Sequence, residues 1–101
     1  SLTNVAPQAL FMMNSEFVFE RSKNVAQSLL ADSKLSDKQR LEELYVRTLN
    51  RQPLPAEVDS AFTYMERFKR KFHATDSLSD LAAWESFSHI LLTSNEFVYL
   101  D

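Results

Sequence analysis

The chain has 101 residues, 45% hydrophobic and 25% charged, with a net charge of −3; that length supplies one hydrophobic core but not two. Gly and Cys are both absent, which excludes phosphate-cradling loops, dinucleotide fingerprints, disulfides, thiolate metal sites and haem attached through a Cys pair. The mild acidity argues against non-specific nucleic-acid binding, and no apolar run reaches the roughly 18 residues of a membrane span.

The aromatic supply of 8 Phe, 3 Tyr and 1 Trp allows a small domain to be firm without covalent staples. Tight hairpin turns lean on Gly, so an all-α fold is expected: one compact, bundle-like array of about five helices over residues 1–101. No signal-peptide pattern opens the chain, and its abrupt start at Ser1 reads as an excerpt from a longer protein.

In chain order, Pro7 fits the first position of a short helix running to Met13, apolar almost all round. Asn14 or Ser15 caps a second helix that runs to about Ala31, with Phe17, Val18, Val25, Ala26, Leu29 and Leu30 at helical spacing. Ser36 and Gln39 match a capping box for the third helix. There Leu41, Leu44, Tyr45, Thr48 and Leu49 share one side, and Glu43 and Arg47 form an i,i+4 pair on the other. Asn50 closes it as the left-handed substitute for Gly.

Pro55 opens the fourth helix, whose stripe is Val58, Phe62, Met65, Phe68 and Phe72, and whose last turn gathers Lys69, Arg70, Lys71 and His73. Ser77 or Ser79 caps the fifth, with Leu81, Trp84, Phe87, Ile90 and Leu91 on a wide apolar face. Its tail, Ser94-Asn95-Glu96-Phe97-Val98-Tyr99, echoes Asn14-Ser15-Glu16-Phe17-Val18-Phe19. In both places an apolar run meets Ser and Asn, which compete for backbone hydrogen bonds, so a helix break is expected at each.

Several stretches together resemble one family: Pro7-Gln8-Ala9-Leu10 leading into Met13-Asn14-Ser15, Arg51-Gln52-Pro53 before Glu57, and Ser94 to Tyr99 with a terminal Asp101. The pattern resembles the C-terminal part of a planctomycete-specific domain of unknown function. The resemblance implies that the chain is the helical C-terminal portion of a larger domain. It also implies an exported multidomain parent, of a kind that often carries a cytochrome-c-like domain. The motif positions are Asn14, Arg51, Pro53, Asn95, Glu96, Phe97 and Tyr99, and the family supplies no catalytic residues. Two departures stand out: Asn50 where the family tends to have Gly, and Leu54 where it tends to have Thr or Ser. Asn tolerates the left-handed turn, but Leu54 cannot cap, so the fourth helix is expected to start less firmly.

The chemical constellations are sparse. His73 and His89 stand 16 apart, neither in a two-ligand motif such as H-E-x-x-H, and neither is expected to have a helical carboxylate partner at ligand spacing. Met12, Met13 and Met65 read as core filling rather than haem ligands. Arg67 with Lys69-Arg70-Lys71 reads as a solvated helix end, and two prolines in the preceding connector do not suit a helix-turn-helix. Ser86 and His89 are the pair that could meet on the fifth helix, with no orienting acid following naturally.

The expected function is therefore that of a non-catalytic structural or interaction module without cofactor or metal. Its expected partners are other domains of the same polypeptide, together with a weak homodimer through Phe11 and Met12, with no nucleic acid and no membrane span expected. The alternative is a contribution to a redox or hydrolytic site formed mostly upstream.

Overall fold

A computed structural model describes residues 16–72 and 77–99, with the backbone alone for Ser77 and residues 95–99. Four helices follow one another: α1 (Glu16–Ala31), α2 (Asp37–Leu49), α3 (Pro55–Lys71) and α4 (Ser77–Tyr99). They correspond to the second to fifth predicted helices, and no strand occurs among the described residues. The predicted helix Pro7–Met13 lies outside the described residues, as do the caps Asn14 and Ser15.

Local chemistry sets most of the helix ends. Ahead of α2, the Ser36 hydroxyl accepts from the Gln39 N–H at 3.1 Å, while the Ser36 N–H donates to Gln39 Oε1 at 2.9 Å. This reciprocal pair satisfies two of the donors that a helix start leaves open. At the other end Asn50 stands at φ 57° and ψ 37°, with its N–H on the Val46 carbonyl at 3.0 Å. Asn can occupy this left-handed region because its short polar side chain lowers the steric cost that other non-Gly residues meet.

The end of α1 is closed from a distance. Arg40 donates from Nε to the Leu29 carbonyl and from Nη2 to the Asp32 carbonyl, each at 2.9 Å, and pairs with Asp37 at the same distance. One guanidinium thus serves carbonyls that the last turn of α1 cannot satisfy internally.

The expected break at Ser94-Asn95 does not occur, and α4 runs unbroken to Tyr99 over 23 residues, about 34 Å at 1.5 Å per residue. The hydroxyls of Thr93 and Ser94 instead bond back to the carbonyls of His89 and Ile90, at 2.8 and 3.0 Å. Satisfied one turn back along the helix, they no longer compete with its backbone.

Helix α4 touches each of the other three. The core is one cluster, with Ala26 and Leu29 from α1, Leu41, Leu44 and Tyr45 from α2, Ala61 and Met65 from α3, and Ala83, Trp84, Phe87 and Leu91 from α4. Trp84 stands edge-on to Phe62, with ring centroids 6.5 Å apart, a favoured aromatic arrangement. Phe62 and Phe68 are half-buried, whereas Phe72, Leu78 and Ile90 are exposed. Ile90 and Phe72 therefore leave the stripes that spacing assigns to them.

Candidate functional site

Two constellations bring polar side chains together. The first is the connector between α2 and α3. Arg51 grips Glu57 through two parallel bonds, Nη1 to Oε1 at 2.8 Å and Nη2 to Oε2 at 2.7 Å, and also donates to the Gln52 carbonyl at 3.1 Å. Its guanidinium lies 5.5 Å from the centroid of the Tyr45 ring, a cation–π distance.

Glu57 Oε1 further accepts the Leu54 N–H at 2.8 Å. Leu54 makes no side-chain cap, as expected; Pro55 occupies the first position of α3 and the Glu57 carboxylate takes the Leu54 N–H. Arg51 foremost, and then that N–H, hold the Glu57 carboxyl down at about 2. Burial pushes the Tyr45 phenol up, and the charge of Glu57 adds to the rise. The motif residue Arg51 thus belongs to a clamp that ties the connector to the first turn of α3, while Pro53 lies in the connector itself.

The second constellation is a cleft of about 270 Å³ between α1 and α4, lined by Phe19, Ser22, Lys23, Phe68, Ala82, Glu85, Ser86 and His89. His89 stands edge-on to Phe19, with centroids 6.2 Å apart. The Ser86 hydroxyl is engaged by the Tyr64 hydroxyl at 2.5 Å, so it shares the cleft with His89 while its hydrogen bond lies with α3. Glu85, four residues before His89 on the same helix face, also lines the cleft. This corrects the expectation that neither His has a carboxylate at ligand spacing, since Glu85 stands at i,i+4 from His89. Ser22 is buried and donates to the Phe19 carbonyl at 2.8 Å.

A larger groove of about 500 Å³ lies between α1 and α2, lined among others by Phe17, Arg21, Val25 and Arg47. Arg47 is already committed there, to Glu43 at 3.1 Å and Ser28 at 3.3 Å. At the basic end of α3, Lys69 bridges to Asp80 of α4 at 2.9 Å, which raises the ammonium above its usual range.

Of the other residues singled out by sequence, Met65 is a buried core side chain. Phe11, Met12, Met13, Asn14 and His73 lie outside the described residues. Asn95, Glu96, Phe97 and Tyr99 belong to the backbone of α4, their side chains outside the description. Among the described residues no group of three His, Cys, Asp or Glu side chains is placed to hold a metal ion, and no helix is long and apolar enough to cross a membrane.

These features define an all-α helical array with one structural clamp and one amphipathic cleft. A family model described as PSD1, protein of unknown function (DUF1553), matches residues 1–65, and the chain belongs to that family. The match contains the Arg51–Glu57 clamp and ends within α3, so the tail motif Ser94 to Tyr99 lies beyond it. No curated protein and no solved structure matches the chain.

Proposed function

We propose that the chain is a non-catalytic helical module that packs against other domains of a larger, exported protein. The observation that carries this reading is the start of α1. Phe17 and Phe19 are 52% and 54% exposed on either side of the buried Val18. At i,i+2 the two rings lie on different sides of the helix, Phe17 at the groove beside α2 and Phe19 at the cleft beside α4, and each leaves apolar area that a partner domain can bury. The ion pairs Arg40–Asp37, Arg47–Glu43, Arg51–Glu57 and Lys69–Asp80 join neighbouring turns or helices at the surface, as expected of a module whose charges serve solubility and geometry. The exported setting rests on the motif resemblance.

The test is hydrogen exchange in the first turns of α1, measured in the isolated chain and in the parent protein. Slower exchange in the parent is expected, because packing suppresses local opening; equal exchange refutes the reading. The same proposal has the isolated chain self-associating weakly and two-fold through Phe11, Met12 and their neighbours. Phe11→Glu or Met12→Glu then shifts sedimentation toward monomer, and a wild-type chain that sediments as a monomer at high micromolar concentration refutes that part.

A further inference from the structure

The cleft between α1 and α4 contains two half-buried side chains of opposite charge, Lys23 on α1 and Glu85 on α4. Among the described residues neither makes an ion pair or a hydrogen bond. The Lys23 ammonium lies 5.2 Å from the centroid of the Phe19 ring. Arg40 and Lys69, half-buried likewise, each reach a carboxylate at 2.9 Å, whereas half-buried Glu42 on α2 has no such partner among the described residues. A charge that loses hydration without gaining a counter-ion is held at a cost. Here two such charges line one space without meeting.

The rest of the cleft is complementary in kind. Phe19 and Phe68 offer aromatic surface, and the Ser86 hydroxyl, braced by Tyr64, is a polar contact. The volume of about 270 Å³ lies just under the range of drug-sized pockets, so the occupant is small. A simple anion would leave Glu85 unmatched, and a simple cation would leave Lys23 unmatched. Glu85 and His89 at i,i+4 also invite a metal ion, but Lys23 repels a cation there, and two ligands fall short of the three or four that hold zinc.

We propose that this cleft binds a small zwitterion with an apolar body, of the class of free aromatic α-amino acids. The ligand's carboxylate faces Lys23, its ammonium faces Glu85, and its ring lies against Phe19 and Phe68. The site shares the Phe19 ring with the surface assigned to domain packing, but its charged pair, Lys23 and Glu85, has no part in that assignment, and the test below reads the isolated chain.

The test is titration of the 101-residue chain with L-phenylalanine, followed by amide resonances. Two analogues accompany it: 3-phenylpropanoate, which lacks the ammonium, and 2-phenylethylamine, which lacks the carboxylate. Saturable shifts centred on Phe19, Lys23, Glu85 and His89 are expected, with each analogue about tenfold weaker for the loss of one charge-assisted contact. Glu85→Gln should abolish the preference for phenylalanine over 3-phenylpropanoate, and Lys23→Gln its preference over 2-phenylethylamine. Neither side chain has an ion pair or hydrogen bond among the described residues, and the Lys23–Phe19 contact lies within the cleft, so both variants should keep the wild-type amide spectrum away from the cleft. The proposal is overturned if no saturable shift occurs, if the analogues bind as well as phenylalanine, or if the folded variants discriminate as the wild type does.

Discussion

Replacing Trp84 by Ala tests the architecture at its centre. Trp84 is 4% exposed, belongs to the helix that touches all three others, and meets Phe62 edge-on. A buried Trp covers about 150–250 Å², which at about 25 cal/mol per Å² corresponds to about 4–6 kcal/mol. That figure is an upper bound, because the unfolded chain already covers part of the ring. Large aromatic truncations cost about 3–5 kcal/mol, and Trp84→Ala should fall in that range, a large share of the 5–15 kcal/mol that holds a typical domain together. Trp84 is the sole Trp, so unfolding in urea should be followed by far-ultraviolet circular dichroism rather than by fluorescence. Trp84→Phe, which retains a ring against Phe62, should lose less than Trp84→Ala. A loss below about 1 kcal/mol for the Ala variant would mean that α4 does not hold the core.

Acid should loosen the connector. The Glu57 carboxyl is held down at about 2, so its stabilising contribution is complete above its ordinary value of 4.5 and drains away as pH falls toward 2. Thermal melts of Glu57→Gln should be flatter across that window than those of wild type, by less than the full shift suggests because both partners meet solvent; identical acid profiles would contradict the clamp. Asn50→Ala should cost about 1–2 kcal/mol in urea unfolding because Ala resists the left-handed turn, while Asn50→Gly should be neutral or slightly stabilising; an Ala variant as stable as wild type would refute the cap. Ser88 is fully buried, and its hydroxyl has no hydrogen-bond partner among the described residues. Ser88→Ala should therefore raise stability by about 1 kcal/mol, and a loss of that size would show that the hydroxyl is satisfied.

What the sequence made legible is what a few neighbouring residues decide. The Ser36–Gln39 box, the left-handed Asn50 and Pro55 at a helix start each need only a window of about four residues, and each is present as expected. What it left hidden depends on partners brought together by folding. The reach of Arg40 to the Leu29 carbonyl spans 11 positions and the Tyr64–Ser86 contact spans 22. Periodicity placed Phe17 and Ile90 on apolar stripes, but they are 52% and 42% exposed. Spacing says which residues share a face, not how far a neighbour covers it. The continuous α4 turns on a similar ambiguity. Ser and Thr can end a helix or bond back into it, and only the rotamers of Thr93 and Ser94 decide. Glu85 is a different case, since its i,i+4 spacing from His89 is legible in the sequence itself.

The extent of the family match and the extent of the core do not coincide. The match ends at residue 65, within α3, whereas the buried surfaces of α1, α2 and α3 converge on side chains of α4 that follow it. Leu29, Leu41 and Leu44 are wholly buried in the same cluster as Trp84, Phe87 and Leu91. Without α4 those leucines would face water, each losing about 1.5–3 kcal/mol of burial, a sum that consumes most of the stability of a domain this small. The clamp points the same way. Arg51 and Glu57 tie the connector to the first turn of α3, and that placement serves packing only if α4 is there to receive Ala61 and Met65. The described part of the matched segment, residues 16–65, therefore shares one core with α4, and the family match stops short of the helix that completes that core.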